Sequence, residues 1–152
     1  MGMYTKINVI LKIKQNTPKE IKNILINIFD GCDVILLRGK TSPKLLEHHK
    51  FFNDGSRIWF PASEGSYYFT GTSNSCIKYA DVTKQMVLHI DTDFKDYNNE
   101  IDNFFDWITP YIDAKENEFL GYSRYEETNN PTLYFFKNNK IQSFINYNVS
   151  EY

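Results

Sequence analysis

Two stretches of the chain decide the predicted fold. The first is KINVILKIK (Lys6–Lys14), which leads into TPKEIKNILINIFDG (Thr17–Gly31). The second is MVLHIDTD (Met86–Asp93), which leads into NEIDNFFDWITPYI (Asn99–Ile112). Both stretches open with alternating apolar and polar residues, which is the pattern of a strand with one buried face. Both continue with apolar residues at helical spacing, so the sequence predicts one strand–helix unit twice.

The apolar stripes of the two predicted helices match almost position for position. The first stripe consists of Ile21, Ile24, Leu25, Ile28 and Phe29, and the second of Ile101, Phe104, Phe105, Ile108 and Ile112. Thr17-Pro18-Lys19-Glu20 predicts a capping box, with proline in the first helical position. Pro110 is expected to loosen the last turn of the second helix, because it cannot donate a backbone hydrogen bond.

Further strands are predicted after each helix. Val34–Leu37 is read as a short strand, and residues 57–60 are a second candidate in the same irregular region. Ser66–Thr72 and Cys76–Ala80 are predicted as a strand pair. The corresponding strands of the second unit are predicted at Phe119–Glu126, Thr132–Phe136 and Ile141–Asn146.

The predicted fold class is therefore α+β, in one domain spanning residues 1–152. We expect a pseudo-twofold tandem duplication of a β-α-β-β(-β) unit, with half-repeats at about 4–81 and 84–146 and an unrepeated segment at 32–64. Two helices would cover one face of a mainly antiparallel sheet, because hairpins dominate the strand pattern. The two halves would lie side by side or face to face, which leaves either a central cleft or an open sheet surface. The alternative is an unduplicated α+β domain.

Composition limits the function classes. The chain of 152 residues has a formal net charge of −2, which argues against a sequence-independent nucleic-acid binder. No apolar run approaches the roughly 20 residues of a membrane span, and no signal peptide is recognisable, so we expect a cytoplasmic protein. The two cysteines fit neither a zinc motif nor a disulfide framework. No phosphate-binding, dinucleotide-binding or HExxH motif is found, so we expect no cofactor and assign no catalytic residue.

Six residues are candidates for binding a partner. Arg38, Lys40 and Trp59 lie in the unrepeated segment, and long segments inserted into a compact scaffold often carry binding function. Tyr122, Arg124 and Glu126 share one face of a predicted strand. Tryptophan and arginine often dominate interfaces, and a guanidinium can hold a carboxylate or phosphate with two hydrogen bonds. The alternatives are a core position for Trp59 and an ordinary surface pair for Arg124 and Glu126.

A second constellation suggests a metal. His89, Asp91 and Asp93 alternate along one strand and are expected to point outward on one face. Imidazole and carboxylate groups bind divalent metals, and Glu126 would be the symmetric partner from the second half. The opposing interpretation is a polar outer strand face, because the ligands do not converge from several strands. We assign no metal site, and name His89, Asp91 and Glu126 as ligands only in the case of an enzyme.

The sequence therefore favours a small non-catalytic binding protein that recognises a partner protein or a small anionic ligand. The Lys-, Asn- and Ile-rich composition is typical of AT-rich bacterial or phage genomes, so an inhibitor or sequestering protein of a bacterial or phage conflict system fits this expectation. The alternative is a metal-dependent enzyme with a tandem β-α-β-β-β fold. A third hypothesis is a structural or self-assembling protein held by tyrosine-rich strand edges. A homodimer is compatible with each of these functions.

Overall fold

The described part of the chain folds into one six-stranded antiparallel sheet with three α-helices. The computed structural model describes residues 3–47, 49–63 and 73–145. The strands are β1 (Thr5–Lys12), β2 (Cys76–Tyr79), β3 (Met86–Phe94), β4 (Glu118–Tyr125), β5 (Thr132–Lys137) and β6 (Lys140–Ile145). The helices are α1 (Lys19–Phe29), α2 (Val34–Arg38) and α3 (Glu100–Ile108). The predicted α+β class and the mainly antiparallel sheet are confirmed.

The strand order in the sheet is β2-β3-β1-β4-β5-β6. The connection from β1 through α1 to β2 passes over β3, and the connection from β3 through α3 to β4 passes over β1. This is the connectivity of a split β-α-β arrangement, which β5 and β6 extend on one side. The strands of the two predicted halves thus interleave in one sheet, and the expected cleft between two separate halves is absent from the described part of the chain. The internal duplication itself stays a prediction.

The core lies on one face of the sheet. Alternate β1 residues Ile7, Val9 and Leu11 are fully buried on that face, and they belong to one hydrophobic cluster with the predicted stripes of α1 and α3. Burial of a large aliphatic side chain contributes about 1.5–3 kcal/mol, so these stripes supply much of the driving force for folding.

The unrepeated segment contains a helix and not the predicted strand at Val34–Leu37. The Asp33 carboxylate accepts a hydrogen bond of 2.8 Å from the Leu36 amide and thereby caps α2. An apolar run of four residues does not distinguish a strand from a short helix, and the cap decides between them here.

Residues 57–60 do not form a strand either. They lead through a turn into a 3₁₀ turn at Phe60–Ala62, and Pro61 cannot donate a ladder hydrogen bond. Phe51 and Phe60 of this segment are fully buried and pack edge-to-face on Phe104 of α3. The segment therefore completes the hydrophobic core next to α3.

Both predicted helix boundaries need correction. The capping box of α1 does not form, because Pro18 is the N-cap residue and no side chain caps this helix. The second helix is α-helical only to Ile108 and continues as a 3₁₀ turn at Thr109–Tyr111, in agreement with the expected effect of Pro110. The predicted strand Ser66–Thr72 lies outside the described residues. Within them, no helix is both long and apolar enough to cross a bilayer.

Truncation of the α1 stripe tests the core. Leu25 is fully buried, whereas the adjacent Ile26 is more than one-third exposed. We expect Leu25→Ala to lower the free energy of unfolding by about 2–5 kcal/mol, because it removes buried methyl groups and leaves a cavity. Ile26→Ala is the matched control on the same helix. Urea denaturation measures both, and equal losses in the two variants would show that this stripe does not face a core.

Candidate functional site

A cleft of about 370 Å³ opens beside α2. One wall is formed by the start and outer side of α2, and the other by the loop that precedes the 3₁₀ turn. The lining residues are Asp33, Val34, Ile35, Arg38, Asp54, Gly55, Ser56, Arg57 and Trp59. We refer to it below as the α2 cleft. Two of the predicted binding residues, Arg38 and Trp59, therefore lie together in one concave surface.

Helix α2 presents two large apolar side chains to solvent. With only five residues, α2 buries Val34 and Leu37 and leaves Ile35 76% and Leu36 56% exposed. Single exposed apolar residues are common, but an adjacent pair beside a concave surface is a typical feature of contact sites. Trp59 is only half-buried, so the alternative interpretation of the sequence, a position in the core, does not apply to it.

The two arginines of the α2 cleft already have partners in the chain. Arg38 Nη2 lies 2.7 Å from Asp54 Oδ1 at the rim. The guanidinium of Arg57 lies 5.3 Å from the centre of the Tyr97 ring, and its Nη1 is 3.8 Å from Glu100 Oε1. An anion entering the cleft would have to compete with these carboxyl groups. The charge of the cleft is therefore nearly balanced.

Glu100 fixes the loop wall of the cleft. It is the first residue of α3, and its side chain is fully buried. Its carboxyl group accepts hydrogen bonds from the Arg57 amide at 3.2 Å and the Asn98 amide at 3.1 Å. A buried carboxyl group is tolerated when its acceptor sites are filled in this way. The loop at Arg57 is thus tied to the start of α3.

A second carboxyl group lies against Glu100. Asp96 Oδ1 accepts a hydrogen bond of 2.6 Å from the Glu100 amide. Burial, together with the hydrogen bond and the charge of the neighbouring Glu100 carboxyl, raises the pKa of Asp96 to about 7. Tyr134 of β5 interacts electrostatically with Asp96, and the guanidinium of Arg57 lies beside the neighbouring Glu100. Proton uptake at Asp96 is therefore coupled to the network that holds the cleft.

Three of the other predicted binding residues lie on or next to the helix-free side of the sheet. Tyr122 pairs with Asn8 and Arg124 with Lys6, and these positions face away from the helices. Glu126 follows the end of β4, and its amide donates to the Tyr4 carbonyl. Lys40 is exposed after α2 and does not line the cleft. Arg38 and Trp59 thus lie in the α2 cleft, Tyr122, Arg124 and Glu126 lie at the helix-free side of the sheet, and Lys40 belongs to neither surface.

The three alternative metal ligands do not converge. His89 pairs with Ile10 on β1, whereas Glu126 lies beside Tyr4, six residues along the same strand. At about 3.4 Å per residue this separation is roughly 20 Å, far beyond the reach of one ion. Asp91 is ion-paired with Lys6, and Asp93, which was expected to point outward into solvent, is fully buried. In the ranges that the structure describes, no group of three His, Cys, Asp or Glu side chains is arranged to bind a metal.

A larger cleft of about 500 Å³ lies between α3 and the β5–β6 hairpin. Its aromatic lining residues, Phe105 and Tyr134, are buried in the core, and its exposed lining is mainly polar. One of its carboxylates, Asp106, already lies 3.7 Å from Lys50 Nζ. This cleft therefore lacks the exposed apolar anchors that the α2 cleft has.

Sequence reasoning missed Glu100, Asp96 and Ile35. The sequence did contain a signal for Asp96 and Glu100. Two carboxylates four residues apart at a predicted helix start lie close to each other and to the unpaired amides of the first helical turn. Ile35 was hidden by the reading of its segment as a strand. Recognising Asp33 as an N-cap would have placed Ile35 and Leu36 on one side of a short helix.

Comparison with known proteins finds no matching family model, no significantly similar curated protein and no significantly similar solved structure. A fold by itself does not specify a function, so the function has to be argued from the site.

The Asp96–Glu100 pair predicts a pH dependence of stability. The raised pKa means that the folded state keeps a proton on Asp96 that the unfolded state loses between about pH 4 and 7. The resulting stabilisation is complete below that window and is lost as the pH rises through about 7. We therefore expect the free energy of unfolding of the parent protein to fall from pH 5 to pH 8 relative to Asp96→Asn.

The asparagine variant keeps an oxygen for the Glu100 amide and has no proton to lose. Urea denaturation at a series of pH values gives the comparison, and Asp81→Asn at the exposed β2–β3 turn is the control, which should follow the parent. Parallel curves for the parent and Asp96→Asn would contradict the assignment.

Proposed function

We propose that the protein is a non-catalytic binding protein and that a partner protein docks on the α2 cleft. The observation that carries this proposal is the solvent exposure of Ile35 and Leu36 beside a cleft walled by the half-buried Trp59. Aliphatic and aromatic anchors next to arginines form the usual centre of a protein–protein contact.

A protein partner fits the α2 cleft better than a small anionic ligand. Arg38 and Arg57 are engaged by Asp54 and Glu100, so a free anion would gain little and would also approach the carboxyl group of Asp33. An apolar side chain of a partner would instead cover Ile35 without disturbing either ion pair. Such a protein acts by occupying its partner's surface, which is the mode of action of an inhibitor or sequestering protein.

The metal-dependent enzyme has less support. His89 and Asp91 are neighbours on the helix-free face of β3, but Glu126 lies beside Tyr4, too far along the sheet to share an ion with His89. The sheet-face residues Tyr122, Arg124 and Glu126 remain a second candidate surface for a protein partner, and the exposed Ile10 and Phe119 lie on the same face. The α2 cleft is favoured because Ile35 lines one concave surface together with the predicted residues Arg38 and Trp59.

Charge placed on α2 tests the proposal. Ile35→Asp and Leu36→Asp should each weaken partner binding at least about 30-fold, because each puts an unpaired charge in the centre of the contact. Val82→Asp is the matched control, since Val82 is 92% exposed at the distant β2–β3 turn. Thermal melting should be almost unchanged in all three variants, because none of these side chains is buried.

The experiment starts with quantitative mass spectrometry of proteins captured from source-cell extract by the parent and each variant. A partner that is retained by Val82→Asp and lost with both α2 variants is then titrated as a purified protein. Capture of the same proteins in equal amounts by the parent and both α2 variants would contradict docking at the α2 cleft.

A further inference from the structure

Strand β6 forms one edge of the sheet, and its outer side is not paired with any strand of the described residues. Natural edge strands are usually protected by short length, proline, a bulge or a central lysine. β6 has six residues in unbroken register with β5, contains no proline, and carries its only lysine at the first position. Its last two residues, Phe144 and Ile145, are 42% and 46% exposed.

The opposite edge of the sheet differs in its length and in the position of its lysine. Strand β2 has only four residues, and Lys78 is exposed in its centre. A short strand with a central charge resists pairing with another strand. The contrast singles out β6 as the edge that can accept a further strand.

The hairpin turn determines which β6 residues direct their backbone groups outward. Lys137 and Lys140 close a two-residue turn, and the turn residues Asn138 and Asn139 have φ values of 54° and 59°. This is the geometry of a type I′ turn, in which the closing residues form a hydrogen-bonded pair. Hydrogen-bonded and non-hydrogen-bonded pairs alternate along an antiparallel ladder. The amide and carbonyl groups of Ile141, Ser143 and Ile145 therefore point away from β5.

We propose that β6 pairs in antiparallel orientation with β6 of a second copy of this chain, with the two-fold axis at Ser143. In this register Ser143 lies opposite the partner's Ser143, and Ile141 lies opposite the partner's Ile145. All three outward-facing residues of each strand then form hydrogen-bonded pairs. Centring the axis on Gln142 would use only two of them and would set Lys140 opposite the partner's Phe144.

The side chains of this register are also self-complementary. Both isoleucine pairs fall on the helix-side face, where they cover each other. On the other face, Phe144 and the partner's Phe144 become diagonal neighbours about 7–8 Å apart at the backbone. Phe144 already contacts Phe135, and Phe135 contacts Phe119, with ring centres 5.6 and 5.3 Å apart. The aromatic row would thus continue from one copy into the next, which identifies a second copy as the partner that fits this edge.

A charge exchange at the two-fold axis tests the pairing. Ser143 is exposed and its amide points away from β5, so Ser143→Glu and Ser143→Lys should leave the monomer fold intact. Sedimentation velocity over a concentration series up to about 0.5 mM should show that the parent dimerises. We expect a micromolar dissociation constant, which is typical of a small interface. Each charged variant should be monomeric, because like charges then lie directly opposite each other. An equimolar mixture of the two variants should dimerise again.

Lys78→Glu on the β2 edge is the control and should remain dimeric, and circular dichroism with thermal melting confirms the fold of every variant. A parent that is monomeric throughout the concentration range would overturn the proposal, as would charged variants that both stay dimeric. If each variant is monomeric but the mixture does not dimerise, Ser143 does not lie opposite itself and the proposed axis is wrong.

Discussion

The buried carboxyl group of Glu100 is the constraint that connects the fold of this protein to its candidate site. It holds the amide of Arg57 and pairs with the Arg57 guanidinium, so the loop wall of the α2 cleft is tied to the first turn of α3. Leaving a buried polar group without a hydrogen-bond partner typically costs about 1–3 kcal/mol, and more for a charged group. The position of the cleft relative to the sheet therefore depends on this contact.

The two proposed interaction surfaces are formed by segments that are additional to the split β-α-β arrangement of β1, α1, β2, β3, α3 and β4, which is called the frame below. Residues 32–63 leave that frame between α1 and β2, complete the core with Phe51 and Phe60, and expose the short helix α2. The β5–β6 hairpin leaves it at the other side of the sheet and creates an edge strand. The frame buries its own apolar faces, so surface available for binding arises mainly from these additions.

Much of the fold could be predicted from the sequence because its signals are periodic. Alternation located β1 and β3, and helical stripes such as Phe104 and Phe105 located the two long helices. Strand order could not be predicted, because any order of these strands within the sheet satisfies the same alternation of buried and exposed residues. At the candidate site, Arg38 and Trp59 could be predicted because arginine and tryptophan are residue types that often dominate interfaces. Glu100 was missed because its role depends on a loop that is 43 residues away along the chain.

The most direct test of docking at the α2 cleft is hydrogen–deuterium exchange of the purified protein alone and in complex with its partner. Exchange reports the opening of individual backbone segments, so it locates a contact without altering the chain. Docking at the α2 cleft predicts slower exchange in the complex at residues 34–39 and 54–59, with little change at residues 122–126. Protection confined to residues 122–126, with none around α2, would contradict this mode of docking.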